Sequence, residues 1–186
     1  MSPRVGLDIE TIIMTAIEIA DNHGVEAVTL ASVARNLSVK PPSLFNHING
    51  LSDLKRELSL YGLTLLFEKI NDRVRGKQKN EAIFAMSTAY IEFTREHPGL
   101  YELTIKAPEN NDKELEGAGN KIIQLLMGIL SDYHLDQETI IHAIRGWRSI
   151  LHGFASLEQK GAFGMPVDTE KSINYIIEGF ISTISK

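Results

Sequence analysis

Apolar residues recur along this chain at steps of three and four, the repeat of a helix lying on a core, and no stretch alternates as a half-buried strand would. The first stripe is Ile9, Ile12, Ile13, Ala16, Ile17 and Ala20, with Asp8 as N-cap, Glu10 in the first turn and Gly24 as the stop. A second, shorter stripe of Leu30, Val33, Ala34 and Leu37 starts behind Thr29. After the turn Ser38-Val39-Lys40, two prolines open a third short helix that carries Leu44 and Ile48 inward. Proline suits that place because first-turn amides have no intrahelical partner to lose. Asn49-Gly50 breaks the chain again.

A longer helix follows, with Leu51, Leu54, Leu58, Tyr61 and Leu65 on one face, running to about Val74. Residues 75–80 form a polar, basic hinge. Beyond it Ile83, Met86, Tyr90 and Phe93 line a helix that ends near His97-Pro98-Gly99, and a short helical piece spans Leu100 to Ile105. Ala107 to Lys113 reads as a loop, followed by a helix carrying Leu115, Ile122, Leu126, Ile129 and Leu130. The last two helices place Ile140, Ile144, Trp147, Leu151 and Phe154 on one stripe and Ile173, Ile176, Ile177, Phe180, Ile181 and Ile184 on the other. The pattern predicts an all-α protein of about nine helices. Its expected parts are a helix-turn-helix domain over 1–50 (motif about 29–48), a connecting helix over 51–75, and a helical bundle over 76–186, to which the resemblance described below assigns effector binding and dimerisation.

Composition narrows the chemistry. Hydrophobic residues make up 43% of the 186, enough for a core, yet no apolar run approaches the length of a membrane span. Cysteine is absent, which excludes disulfides, thiol nucleophiles and cysteine-ligated metals. The start MSPRVGLDIE lacks the basic and apolar segments of a signal peptide, so the expected location is cytoplasmic, with no membrane partner. A net charge of -5 argues against blanket affinity for nucleic acid but not against a local binding face.

Such a face is suggested between Thr29 and Ile48. Two short amphipathic helices joined by a tight turn match the helix-turn-helix unit, whose second helix enters the major groove. The window 27–52 holds Arg35, Lys40 and His47 and no acidic residue. Expected DNA contacts are Lys40, Pro42, Ser43, Phe45, Asn46 and His47, with Thr29 and Lys55 at the flanks and Arg4 reaching from the N-terminal arm. Asn is suited to bidentate pairing with adenine, and Lys to neutralising a phosphate. The same stripes also suit core helices of a bundle, so a small-molecule-binding helical protein without a DNA role is the alternative.

The run Val28-Thr29-Leu30-Ala31-Ser32-Val33-Ala34-Arg35-Asn36-Leu37-Ser38-Val39, followed by Pro41-Pro42-Ser43-Leu44-Phe45-Asn46-His47-Ile48, resembles the TetR family of bacterial transcriptional regulators over roughly residues 7–65. His97-Pro98-Gly99-Leu100-Tyr101 and Trp147 through His152-Gly153-Phe154 are similar to a subgroup with a Trp…His-Gly regulatory domain. The resemblance implies a homodimer on a palindromic double-stranded operator, usually a repressor released by a small effector. Three positions depart from the common pattern. Ser38 stands where many members have Gly, Phe45 where many have a phosphate-bonding Tyr, and Leu51 where many have a phosphate-binding Lys.

In the C-terminal half, Leu151, Phe154, Ile173, Ile176, Ile177, Phe180, Ile181 and Ile184 are the expected dimer surface, although both helices also suit a monomer core. A pocket for a small hydrophobic, aromatic or cationic effector is expected around Tyr90, Phe93, Tyr101, Met127, Trp147, His152 and Phe154, each of which equally suits plain packing. Enzyme signatures do not assemble. Gly117-Ala118-Gly119 lacks the third glycine and a preceding strand, no Gly-x-Ser-x-Gly elbow occurs, and no two histidines are four apart. The expectation is therefore no catalytic residue, no metal and no cofactor.

Overall fold

The computed structural model describes residues 7–105 and 112–185, so Arg4 and most of the expected loop at 107–113 lie outside the described residues. The helices are α1 (Ile9–His23), α2 (Leu30–Asn36), α3 (Leu51–Val74), α4 (Lys79–Glu96), α5 (Pro98–Thr104), α6 (Lys113–Leu130), α7 (Gln137–Gln159) and α8 (Thr169–Ile184). Among the described residues there is no strand. The expected third helix is a correction in kind: Pro41–Asn46 is a 3-10 helix. Two prolines remove consecutive donors and the element is only six residues long, so the tighter i→i+3 closure suffices.

Local chemistry sets the boundaries. Asp8 accepts the Thr11 amide at 2.8 Å and starts α1, and this bond holds its carboxyl below the ordinary range. Asp136 does the same for Thr139 at the head of α7, and Asp168 caps α8 through the Glu170 amide at 2.9 Å. At the head of α2, Thr29 and Ser32 exchange hydrogen bonds: the Ser32 amide donates to Thr29 Oγ1 at 3.0 Å and the Thr29 amide to Ser32 Oγ at 2.9 Å. Two orphan donors are thereby satisfied reciprocally.

Contacts divide the chain into two compact units, one of residues 1–63 with 96–115 and the other of 64–95 with 116–186. In the first unit Ile12, Ala16, Val33, Leu44, Ile48, Leu54 and Leu58 are buried together with Leu100 from α5. The α5 segment joins this unit because Gly99 lies against the backbone of α1, where an added Cβ would stand 2.1 Å from the Ala20 carbonyl oxygen. The second unit buries Ile83, Phe93, Leu130, Trp147, Leu151 and Ile177. Trp147 is fully buried, stacks on Phe180 with ring centres 5.4 Å apart, and donates its indole N–H to Ser87 Oγ at 2.9 Å. No helix among the described residues is long and apolar enough to cross a membrane.

Candidate nucleic-acid interface

The turn between α2 and the 3-10 helix is closed by two backbone bonds, Val39 N–H to the Ala34 carbonyl at 2.9 Å and Ser38 N–H to the Arg35 carbonyl at 3.1 Å. This paired closure puts the residue after the helix in the left-handed region, and Ser38 has φ 56°. The departure from Gly therefore falls at the one position of the turn where Gly is conformationally favoured.

Beyond the turn the side chains separate cleanly. Leu44 and Ile48 are 0% and 1% exposed and anchor the element from below. Lys40, Pro42, Asn46 and His47 are exposed, Phe45 is 56% exposed, and Ser43 is half-buried. Arg35 and Asn36 on α2 are exposed as well, two polar groups that sequence reading left off the contact list. Thr29 is exposed, but its hydroxyl already accepts the Ser32 amide and donates to Ser32 Oγ, so its first role is the cap. Lys55 is half-buried, with Nζ 4.0 Å from Glu26. Acids are not all remote from the element: Asp8 lies within electrostatic reach of His47. The surface is thus a short rigid rod with a polar, mildly basic outer side, suited to a groove rather than to a packed interface.

Residues 83–180 match the family model of the tetracyclin repressor-like C-terminal domain. Over 98% of its length the chain is 40% identical to the Bacillus subtilis uncharacterized HTH-type transcriptional regulator YobS, covering 95% of that relative. The chain belongs to the TetR family of transcriptional regulators. Solved structures share the fold at lower identity. A Rhodococcus protein of unknown function superposes with a TM-score of 0.85 at 17% identity, covering all of both chains. A TetR variant from Acinetobacter baumannii in complex with minocycline reaches 0.71 at 15% identity, covering 96% of each.

In this TetR-family chain, the residues expected around an effector fall in both compact units. Tyr90, Phe93, Trp147 and Phe154 are buried in the second unit, Met127 and His152 are half-buried there, and Tyr101 is buried in the first unit. None of them is among the residues that line two clefts of the second unit. One cleft, of about 170 Å³, has a floor of Ile91, Ile173 and Ile177 and polar walls that include Thr88, Glu92, Arg95, Glu170 and Asn174. A wider, open groove next to it includes Arg73, Lys77, Phe84 and again Thr88. Sequence had no signal for the first cleft, because Arg95 meets Glu158 and Glu170 across 63 and 75 residues of chain.

Leu151, Phe154, Ile173, Ile177, Phe180, Ile181 and Ile184 are already buried within the single chain, and only Ile176, at 38%, is exposed. A helix of a bundle has one inward stripe, and the strongest apolar periodicity marks that stripe rather than the outer face. Outside lie Ile141 and Tyr175, 41% and 78% exposed, with Gly146 and Gly179, whose missing Cβ atoms would face open space.

Proposed function

We propose that this chain is a ligand-responsive repressor that binds a palindromic operator as a homodimer and is released by a small effector. What supports the DNA-reading assignment is the segregation in Pro41–Asn46: Leu44 is buried while Lys40, Pro42, Phe45, Asn46 and His47 face outward, with Ser43 beside them. Asn46 is assigned to a base edge and Lys40 to a phosphate, and Phe45 packs on sugar or a thymine methyl. Arg4, Thr29 and Lys55 are assigned supporting contacts. The outer face of α7 and α8, with Ile141, Tyr175 and Ile176, is assigned to the homodimer, whose two-fold axis sets two reading elements one helical turn of DNA apart.

A second copy and an effector give the remaining half of the chain its use. The liganded state must prefer a spacing that does not fit the operator, since a ligand shifts an equilibrium only through differential affinity. The chain passes between the two compact units within α3, at the end of α4 and within α6. The reading assigns no catalytic residue and no cofactor, and it places the protein in the cytoplasm.

The experiment is selection of bound fragments from sheared genomic DNA of the host by the purified chain. Recovered fragments sharing an inverted repeat, with affinity falling steeply between about 50 and 200 mM salt, support the reading. Recovery without a shared repeat and without salt dependence refutes it.

A further inference from the structure

We infer that the cleft between α4 and α8 binds a small ligand with a cationic amine head and a short apolar body. Its regulatory consequence rests on the reading above; the binding site itself does not.

The argument begins with the one cation on its wall. Arg95 donates Nε and Nη2 to the two oxygens of Glu158, both at 2.7 Å, and Nη1 to Glu170 Oε1. All three nitrogens are therefore directed at carboxylates: three of the five N–H donors are taken, and the single positive charge is shared between two acids. Arg95 acts as a strut that holds Glu170 at the rim. Glu170 keeps Oε2 as an acceptor with no partner among the described residues. On the α4 side, Glu92 Oε2 takes Arg73 at 2.7 Å and Lys69 at 3.7 Å, which leaves Oε1 as a second acceptor. On the lining itself Glu92 and Glu170 outnumber Arg95, while Arg73 and Lys69 offset Glu92 from outside it.

The floor has the opposite character. Ile91, Ile173 and Ile177 are nearly fully buried and supply an apolar surface without donors. The space of about 170 Å³ equals that of roughly six solvent-sized fragments at ~30 Å³ each. Spare acceptors at the rim, a cation already shared between two carboxylates and an aliphatic floor select a compact ammonium on a four- to six-carbon tail over a carboxylate or a neutral alcohol. A divalent metal fits poorly, since no group of three or more His, Cys, Asp or Glu among the described residues is arranged to hold one.

The test uses calorimetry on the purified full chain without DNA, with n-pentylammonium as probe and pentanoate and 1-pentanol as matched controls. A saturable heat is expected for the amine, with both controls at least about tenfold weaker. Glu170→Gln leaves Arg95 its two bonds to Glu158 and should weaken the amine about fivefold or more, as expected for removing one partly exposed charge partner. Thr88→Phe fills the cleft from its mouth while cutting no ion pair, and should abolish the heat with the circular dichroism unchanged. Equal binding of pentanoate or pentanol, no saturable heat with the amine, or full retention of affinity in both variants would overturn the site. Adding the amine to protein bound on a selected operator fragment separates the two readings. Release supports regulation through this cleft, whereas calorimetric binding without release overturns the regulatory role and leaves the site standing.

Discussion

The carboxylate of Asp21, near the end of α1, accepts the backbone N–H of Gly99, in the first turn of α5, at 2.9 Å across 78 residues of chain. The same oxygen accepts the Leu100 amide, and the other oxygen lies 2.9 Å from His97 Nδ1. The three donors come from one short element, so a single acidic side chain fixes how α5 meets α1. The approach is close enough that only a residue without a Cβ fits at position 99.

Gly99→Ala should therefore separate α1 from α5, because its Cβ would meet the Ala20 carbonyl at 2.1 Å and backbone cannot yield as a side chain can. A loss of about 1–3 kcal/mol is expected, the range for overpacking a tight contact. Urea unfolding of both proteins measures it, and an unchanged midpoint would refute the contact.

Ser38→Gly should act in the other direction. At φ 56° serine bears the steric cost of the left-handed region, ~1–2 kcal/mol, while glycine brings an unfolded-state entropy penalty of roughly 0.5–1 kcal/mol. The net expectation is a gain of a few tenths to about 1 kcal/mol, seen as a higher melting temperature.

Three substitutions separate the roles assigned along the reading element. Lys40→Ala should weaken operator and scrambled duplex alike and reduce the salt slope by about one unit. Asn46→Ala should relax discrimination at one position at a cost of ~1–3 kcal/mol. Phe45→Tyr restores a hydroxyl at an exposed site and should tighten all duplexes by ~0.5–1.5 kcal/mol, the worth of one hydrogen bond. Fluorescence anisotropy against both duplexes checks all three; if Asn46→Ala weakens them equally, its base-reading role is wrong.

Trp147 is the only tryptophan and is wholly buried, so its emission should be blue-shifted and resistant to acrylamide. Ser87→Ala strands its indole N–H without the acceptor now 2.9 Å away. The expected cost is ~1–3 kcal/mol, with an altered emission maximum that a loss of stability elsewhere would not produce.

Acid should loosen the second unit through Glu158. Its bonds to Arg95 hold its carboxyl below the ordinary glutamate value of 4.5, while the Arg95 guanidinium is driven further toward its charged form. A lowered pKa means that the native state binds fewer protons than the unfolded chain in this range. The stabilisation is complete above that value and lost as pH falls through the depressed one. Glu158→Gln should flatten the corresponding part of the acid limb in a plot of stability against pH, whereas an unchanged limb would show that other carboxylates dominate.

Helix positions and caps were legible because both are local. The step of three or four that buries Ile12, Ala16 and Ile17 lies within one element, and the Asp8, Thr29, Asp136 and Asp168 caps act over two or three residues. The reading element was legible for the same reason, since an inward Leu44 and Ile48 leave Lys40, Phe45, Asn46 and His47 nowhere to point but outward. Its 3-10 winding was less so, because a six-residue apolar spacing cannot distinguish the two helical closures.

The cleft and the exposed face of α7 and α8 were another matter. Seven strongly periodic apolar residues of α7 and α8 form the stripe facing the chain's own core, so periodicity named the inside of the bundle while the outer face carries Ile141, Tyr175 and Ile176. Nor does any local pattern announce that Arg95 meets Glu158 and Glu170, or that Asp21 clasps Gly99. By itself, then, the sequence determined the helices, their ends and the side of the reading element that faces out. Only the tertiary structure decided which compact unit α5 joins, which apolar faces are already covered and where carboxylates gather around a cavity. Backbone periodicity and capping act within a few residues, whereas these contacts close loops of 60 to 80 residues and exist only once the helices have packed.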